Sequence, residues 1–442
     1  MRWTGFALIG IAFLAQACKS PPSPINPNPS VTKIKVISAT LTPSAIPPTS
    51  IHIATTEPTE VPVRILLDQL QTSLLDELRQ TVTPDIKGER PFGGINDVNL
   101  REIPNEENSW LLYSVGSRSY DPLQNHFIAI YSYENGSWIK IDRKDLENSD
   151  HLQDESIEIV QIDSDKVFIE VKSTAGAHGG CYDLFYFDGS ELDHLISSCA
   201  SSPDAGEMVD LDGDGSKEVV LNWSEDYVFC YACGVRIPRF QLWRWDGEQL
   251  QEVTLSIIEG GESEVAVQLN NEAVMLAKSE MWKDAQANIK NTVELSDGEN
   301  KIIHWNAVLI NLIAGAREEA VQNSGFPLLN SVFYGDYETV MDILRVYRPY
   351  ELYSNSSPLI SGSAAEGSEE ILLDWVNTFT DKALLEKPDL AAAYFLKAWA
   401  TYLVTPTAPS IMKNLEKAAA LDKDEELFSE SFLFLRTGEG GE

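Results

Sequence analysis

Hydrophobic positions change their period twice along the chain. Between residues 63 and 82, Leu67, Leu70, Leu74 and Leu78 recur at three- and four-residue spacing, with Asp68, Gln71, Glu77 and Arg79 off that stripe. This predicts an amphipathic helix that Thr83-Pro84 closes. The middle third then turns to short aromatic and β-branched runs. Ile130-Tyr131-Ser132-Tyr133-Glu134-Asn135-Gly136, Leu184-Phe185-Tyr186-Phe187-Asp188-Gly189 and Leu242-Trp243-Arg244-Trp245-Asp246-Gly247 each carry a strand into Asn-Gly or Asp-Gly, the chemistry of a hairpin turn with positive φ. A strand follows each hairpin turn, at 138–141, 192–196 and 250–253, and another precedes each hairpin, at 110–115, 167–171 and 218–222. The turn glycines stand 53 and 58 residues apart, which predicts about three four-stranded repeat units. From Glu264 onward the period becomes helical, carried by Ala, Leu, Glu and Lys. The fold class expected is multidomain α+β: amphipathic helix and linker at 63–92, β-repeat domain at 93–256, α-helical domain at 262–437.

The N-terminus reads as an address. Met1-Arg2 is followed by an apolar run from Phe6 to Ala15, the plan of a signal peptide over residues 1–17. Leu14-Ala15-Gln16-Ala17-Cys18 resembles a bacterial lipobox, with Ala15 where a leucine is commoner; the resemblance implies lipidation of Cys18 and anchorage to the cell membrane. The alternative is cleavage at Ala15-Gln16-Ala17 and plain secretion. Both readings place the protein outside the cytoplasm. Residues 18–62 hold ten of the 22 prolines, and such a stretch is expected to be an extended, solvated tether rather than a packed element.

Composition narrows the function. The 442 residues include 68 acidic and 33 basic side chains, a formal net charge of −35. Such a chain repels phosphate backbones, which excludes nucleic-acid binding as the main task and favours cations and basic partners. After the leader no run of 18 or more apolar residues occurs, so no internal membrane span is expected.

The sharpest local signal is Asp210-Leu211-Asp212-Gly213-Asp214-Gly215-Ser216-Lys217-Glu218, which leads directly into a strand. Calcium is a hard ion that takes six to eight oxygens, so carboxylates at alternate positions of a glycine-bent loop suit it. Asp210, Asp212, Asp214 and Glu218 would supply carboxylates and Ser216 its carbonyl. An EF-hand would need an acid at the twelfth position, where this loop has Leu221. The loop instead resembles the calcium loop of FG-GAP/VCBS-type repeats, found in extracellular propellers. That resemblance implies a propeller-like β domain with a structural calcium ion, set against the plainer reading of a solvated acidic turn.

Cys181, Cys199, Cys230 and Cys233 are disulfide candidates for an exported protein, in any of three connectivities; a zinc site and a redox role for Cys230-Tyr231-Ala232-Cys233 are the alternatives. No nucleophile, acid–base or metal spacing marks a catalytic centre, and the chain is not expected to be an enzyme. His178 lies in a glycine-rich loop without a partner motif. Trp223, Tyr227, Tyr231, Trp243 and Trp245 are either strand core or a platform for stacking a glycan.

In the last third, Ala273, Trp282 and Ala285 lie at positions that resemble a tetratricopeptide repeat. Ala307 follows Ala273 by 34 residues, Gly335-Asp336-Tyr337-Glu338 resembles a further turn and second helix, and Ala383 to Pro388 and Ala418 resemble later units. The resemblance implies a helical solenoid that binds a protein or peptide partner; a simple helical bundle is the alternative. Together these readings predict a membrane-anchored, extracytoplasmic binding and scaffolding protein, with surface carbohydrate or polymer binding through the β domain as the alternative.

Overall fold

The computed structural model describes residues 68–73, 94–104, 109–117, 126–135, 137–146, 149–162, 166–259, 264–296, 300–354 and 356–437. The leader, Cys18, the tether and most of the 63–82 helix lie outside these residues; the stretch within them, 68–73, is helical (α1).

Strands β1 (Gly94–Glu102), β2 (Ser109–Ser117), β3 (His126–Glu134) and β4 (Ser137–Leu146) form one antiparallel meander. A two-residue strand, β5 (His151–Leu152), follows. Strands β6 (Ile157–Gln161), β7 (Val167–Ala175), β8 (Gly179–Phe187) and β9 (Leu192–Ala200) form a second meander. The hairpin turns fall where Asn-Gly and Asp-Gly require them, with Asn135 at φ +50° and Gly189 at φ +91°. β5 pairs with both β2 and β7, so the two units fuse into a nine-stranded sheet instead of standing as separate blades. Alternate residues, among them Leu111, Tyr113, Ile128, Ile130, Ile169 and Phe185, share one core inside this sheet.

β7 is buried on both faces: Val167 to Val171 are all inaccessible. A strand with such a continuous apolar run needs cover on each side. The second face receives a four-stranded sheet made of β10 (Gly206–Val209), β11 (Glu218–Asn222), β12 (Phe240–Trp245) and β13 (Leu250–Val253). Phe168, Tyr182 and Leu184 pack there on Met208, Val219 and Leu221. Each such side chain contributes roughly 1.5–3 kcal/mol when fully buried. Glu170 lies in the same seam, where its Oε2 accepts the Met208 N–H at 2.8 Å and its Oε1 pairs with Lys172 at 2.7 Å. A buried carboxylate held in this way fixes the register of one sheet on the other.

The other face of the small sheet, through Val220, Leu242 and Val253, meets the helices. These are α2 (Glu264–Lys278), α3 (Trp282–Leu295), α4 (Lys301–Gln322), α5 (Pro327–Tyr334), α6 (Tyr337–Arg345), α7 (Pro349–Leu352), α8 (Glu369–Glu386), α9 (Ala391–Val404), α10 (Pro409–Leu421) and α11 (Glu426–Thr437). Ala273, Ala285, Ala307, Ala383 and Ala418 are all buried, and small side chains there let neighbouring helices approach closely. At Gly335 the φ is +77°, and a Cβ would fall 2.6 Å from Met281 Cα, so the α5–α6 turn sits directly on the α2–α3 turn. Asp336 then caps α6 by accepting the Thr339 N–H at 3.1 Å.

Polar bonds tie the helices to the small sheet and its connections. Arg317 on α4, 2% exposed, donates to the carbonyls of Pro238 at 2.8 Å and Phe333 at 2.7 Å, and to Glu280 at 3.3 Å. Asn330 donates to Arg236 O at 2.8 Å and Asn306 to Ser256 O at 2.7 Å. The interior is therefore continuous across the junction near residue 260, where the sequence reading divides two domains.

Candidate functional site

The acidic loop joins β10 to β11 and is bent by Gly213 at φ +78° and Gly215 at φ +93°, conformations that side chains with a Cβ rarely adopt. Its carboxylates order its own backbone. Asp210 accepts N–H groups from Gly213 at 2.7 Å and Gly215 at 3.1 Å, Asp212 from Asp214 at 3.1 Å, and Asp214 from Ser216 at 2.7 Å. Glu218, the first residue of β11, is 3% exposed and accepts the Leu211 N–H at 3.0 Å.

Carboxylate oxygens of Asp210, Asp212 and Glu218 lie within 4.8 Å of one another, and among the described residues no other His, Cys, Asp or Glu trio converges in this way. Asp214 and Ser216 stay exposed outside the trio. Burial pushes the Glu218 carboxyl above the usual range; the Leu211 N–H pulls it back, and Asp212, Asp214 and Asp210 push it up again. Three acids around one buried carboxyl make a site that a cation or proton stabilises. The donor set is oxygen only and its core is preformed, which fits a hard divalent ion.

A residue from the helical layer bonds to one of these acids. His304, near the start of α4, bonds through Nε2 to Asp212 Oδ2 at 2.8 Å. Asn300 caps that helix, accepting N–H groups from Ile302 at 2.8 Å and Ile303 at 3.2 Å, and so sets the turn that carries His304. Beside this bond runs a groove of ≈ 350 Å³ between the loop and α3–α4. Leu211, Val293, Ile303, Ala307, Val308 and Leu312 form its apolar walls; Asp212, Ser296, Asn300, His304 and Asn311 form its polar part.

No protein-family model matches this chain, and no curated relative does.

The remaining sequence candidates fall elsewhere. Cys181 and Cys199, directly opposed on β8 and β9, form one disulfide, and Cys230 and Cys233 the other. Two disulfides point to an oxidising, extracytoplasmic environment, and no described helix is long and apolar enough to cross a membrane. The five aromatics separate into two groups. Trp243 and Trp245 pack against the seam between the sheets, Trp245 meeting Phe168 edge-on at 5.2 Å. Trp223, Tyr227 and Tyr231 are exposed. His178 joins them, stacked on Tyr231 at 4.4 Å, with Tyr227 beyond at 5.4 Å. His304 and the groove have no local sequence signal: a bond spanning 92 residues depends on how the helices dock.

Proposed function

We propose that this chain is an extracytoplasmic binding and scaffolding protein, lipid-anchored through Cys18, whose acidic loop holds a structural calcium ion and whose helices present a surface to a protein or peptide partner. The observation that carries this reading is the junction itself. Asp210, Asp212 and Glu218 converge, and His304 on the helical layer bonds to Asp212 beside an open groove. Asp210, Asp212 and Glu218 would hold the ion, with Asp214 and Ser216 supplying further oxygens. When bound, calcium cancels the mutual repulsion of the loop acids. The loop then stays rigid against β11 and keeps Asp212 positioned for α4. We read the three strand meanders as FG-GAP/VCBS-like repeats and the helices as tetratricopeptide-like; the buried alanines at helix contacts support the second assignment. The role is to present surfaces, without bond-making chemistry.

Affinity capture with the full chain from a native envelope, in calcium and then in chelator, tests this function. A partner retained in either condition supports it; no retained partner in either condition contradicts it. A second reading rests on the exposed row His178–Tyr231–Tyr227, whose rings suit stacking against a sugar. Binding to a glycan array that Tyr231→Ala abolishes would favour it.

A further inference from the structure

We infer that the groove between the acidic loop and α3–α4 is a docking site for a peptide segment that joins apolar side chains to lysine or arginine. The inference rests on the binding-protein reading above and names its partner class. Three observations meet here. The groove offers ≈ 350 Å³ with a mostly apolar lining, a size that accepts a few side chains. Its apolar surface continues outward at the adjoining helix ends, where Val293, Leu295 and Ile302 are exposed; such patches mark interaction sites. One end is acidic: Asp212 lines the groove, with its carboxylate almost covered and bonded to His304, and the exposed Asp210 and Asp214 belong to the same loop. The one lysine of that loop, Lys217, is already paired with Glu158 at 3.1 Å.

Charge complementarity selects the occupant. A basic side chain beside an apolar one satisfies both ends of the groove, and the Asn311 carboxamide on the rim suits a peptide backbone. An anionic lipid surface is repelled by the same carboxylates, as is a second copy of a chain of net charge −35.

The test is fluorescence anisotropy in chelator with the full chain and two labelled peptides, one with a Leu-Leu-Ala-Leu core ending in Lys-Lys and the other ending in Glu-Glu. The expected result is a Kd below about 100 µM for the lysine peptide and at least about tenfold weaker binding of the glutamate peptide. Val293→Asp places a like charge in the groove at a half-exposed position, so the fold should survive. It should weaken the lysine peptide at least about tenfold while the circular-dichroism melt stays unchanged. Equal affinity for both peptides, no binding of either, or parental affinity in Val293→Asp would overturn the proposal. So would self-association, or binding to phosphatidylglycerol vesicles, that Val293→Asp abolishes. Because calcium is absent and the groove variant is the control, failure here is separable from failure of envelope capture, on which the broader reading stands.

Discussion

His304 Nε2 donates to Asp212 Oδ2 at 2.8 Å, and this bond joins the helical layer to the acidic loop of the small sheet. The imidazole is half-exposed while the Asp212 side chain is almost covered. Solvent screens such a pair, so its energetic share is modest although its positional effect is not. His304→Ala should cost roughly 0.2–1 kcal/mol by urea unfolding. A double-mutant cycle with Asp212→Asn should return a coupling of similar size. A coupling near zero would show that the bond does not link the two layers in solution.

Glu280 is a tighter junction. It sits at φ +61° and accepts hydrogen bonds from the Trp282 indole at 2.9 Å, Lys382 at 3.0 Å and Arg317 at 3.3 Å. Burial alone would push its carboxyl up, but Arg317, the Trp282 indole and Lys382 together hold it below the ordinary value of 4.5. A depressed carboxyl contributes stability that is present above the unfolded value and lost as pH falls through the folded one. The urea midpoint should therefore decline on acidification below about 4.5. Glu280→Gln should flatten that decline and cost roughly 3–5 kcal/mol at neutral pH, because it leaves the buried Arg317 charge unpaired. Unchanged neutral stability would show that Arg317 is held by its carbonyl partners alone.

The two disulfides should differ in weight. Cys181–Cys199 closes a loop of sequence separation 18, and Cys230–Cys233 one of separation 3. Loop entropy assigns about 3 kcal/mol to the first and about 2 kcal/mol to the second. Paired serine replacements, followed by urea unfolding, should preserve that order; the reverse order would mean that native contacts of the Cys230 turn matter more. That turn touches the helical layer, since a Cβ at Gly325 would meet the Cys233 carbonyl at 2.2 Å.

Local chemistry made much of this legible. Asn135-Gly136, Asp188-Gly189 and Asp246-Gly247 marked the hairpins, and Gly247 indeed has φ +107°. Alternation gave the strands around them, and the change of period after Glu264 located the helices. What escaped was pairing at a distance. The two-residue strand β5 is too short to carry a pattern, yet it fuses the first two units. The burial of Val167 to Val171 on both faces depends on the small sheet that covers β7, a partner the strand's own residues do not specify. In the acidic loop the spacing identified the candidate oxygens; the structure converges Asp210, Asp212 and Glu218 and leaves Asp214 outward, a difference set by backbone turns at Gly213 and Gly215. Strand alternation made core the leading reading of Trp243 and Trp245, with a ligand platform as the alternative, and their packing against Phe168 and its neighbours agrees with core.

Isothermal titration of calcium chloride into the chelator-stripped full chain tests the junction most directly, with Asp212→Asn and Glu218→Gln run alongside. The parent should bind a single ion saturably with a rise in its melting temperature, and either variant should lose both. No binding heat from the parent, or the same isotherm in parent and variants, would contradict that expectation.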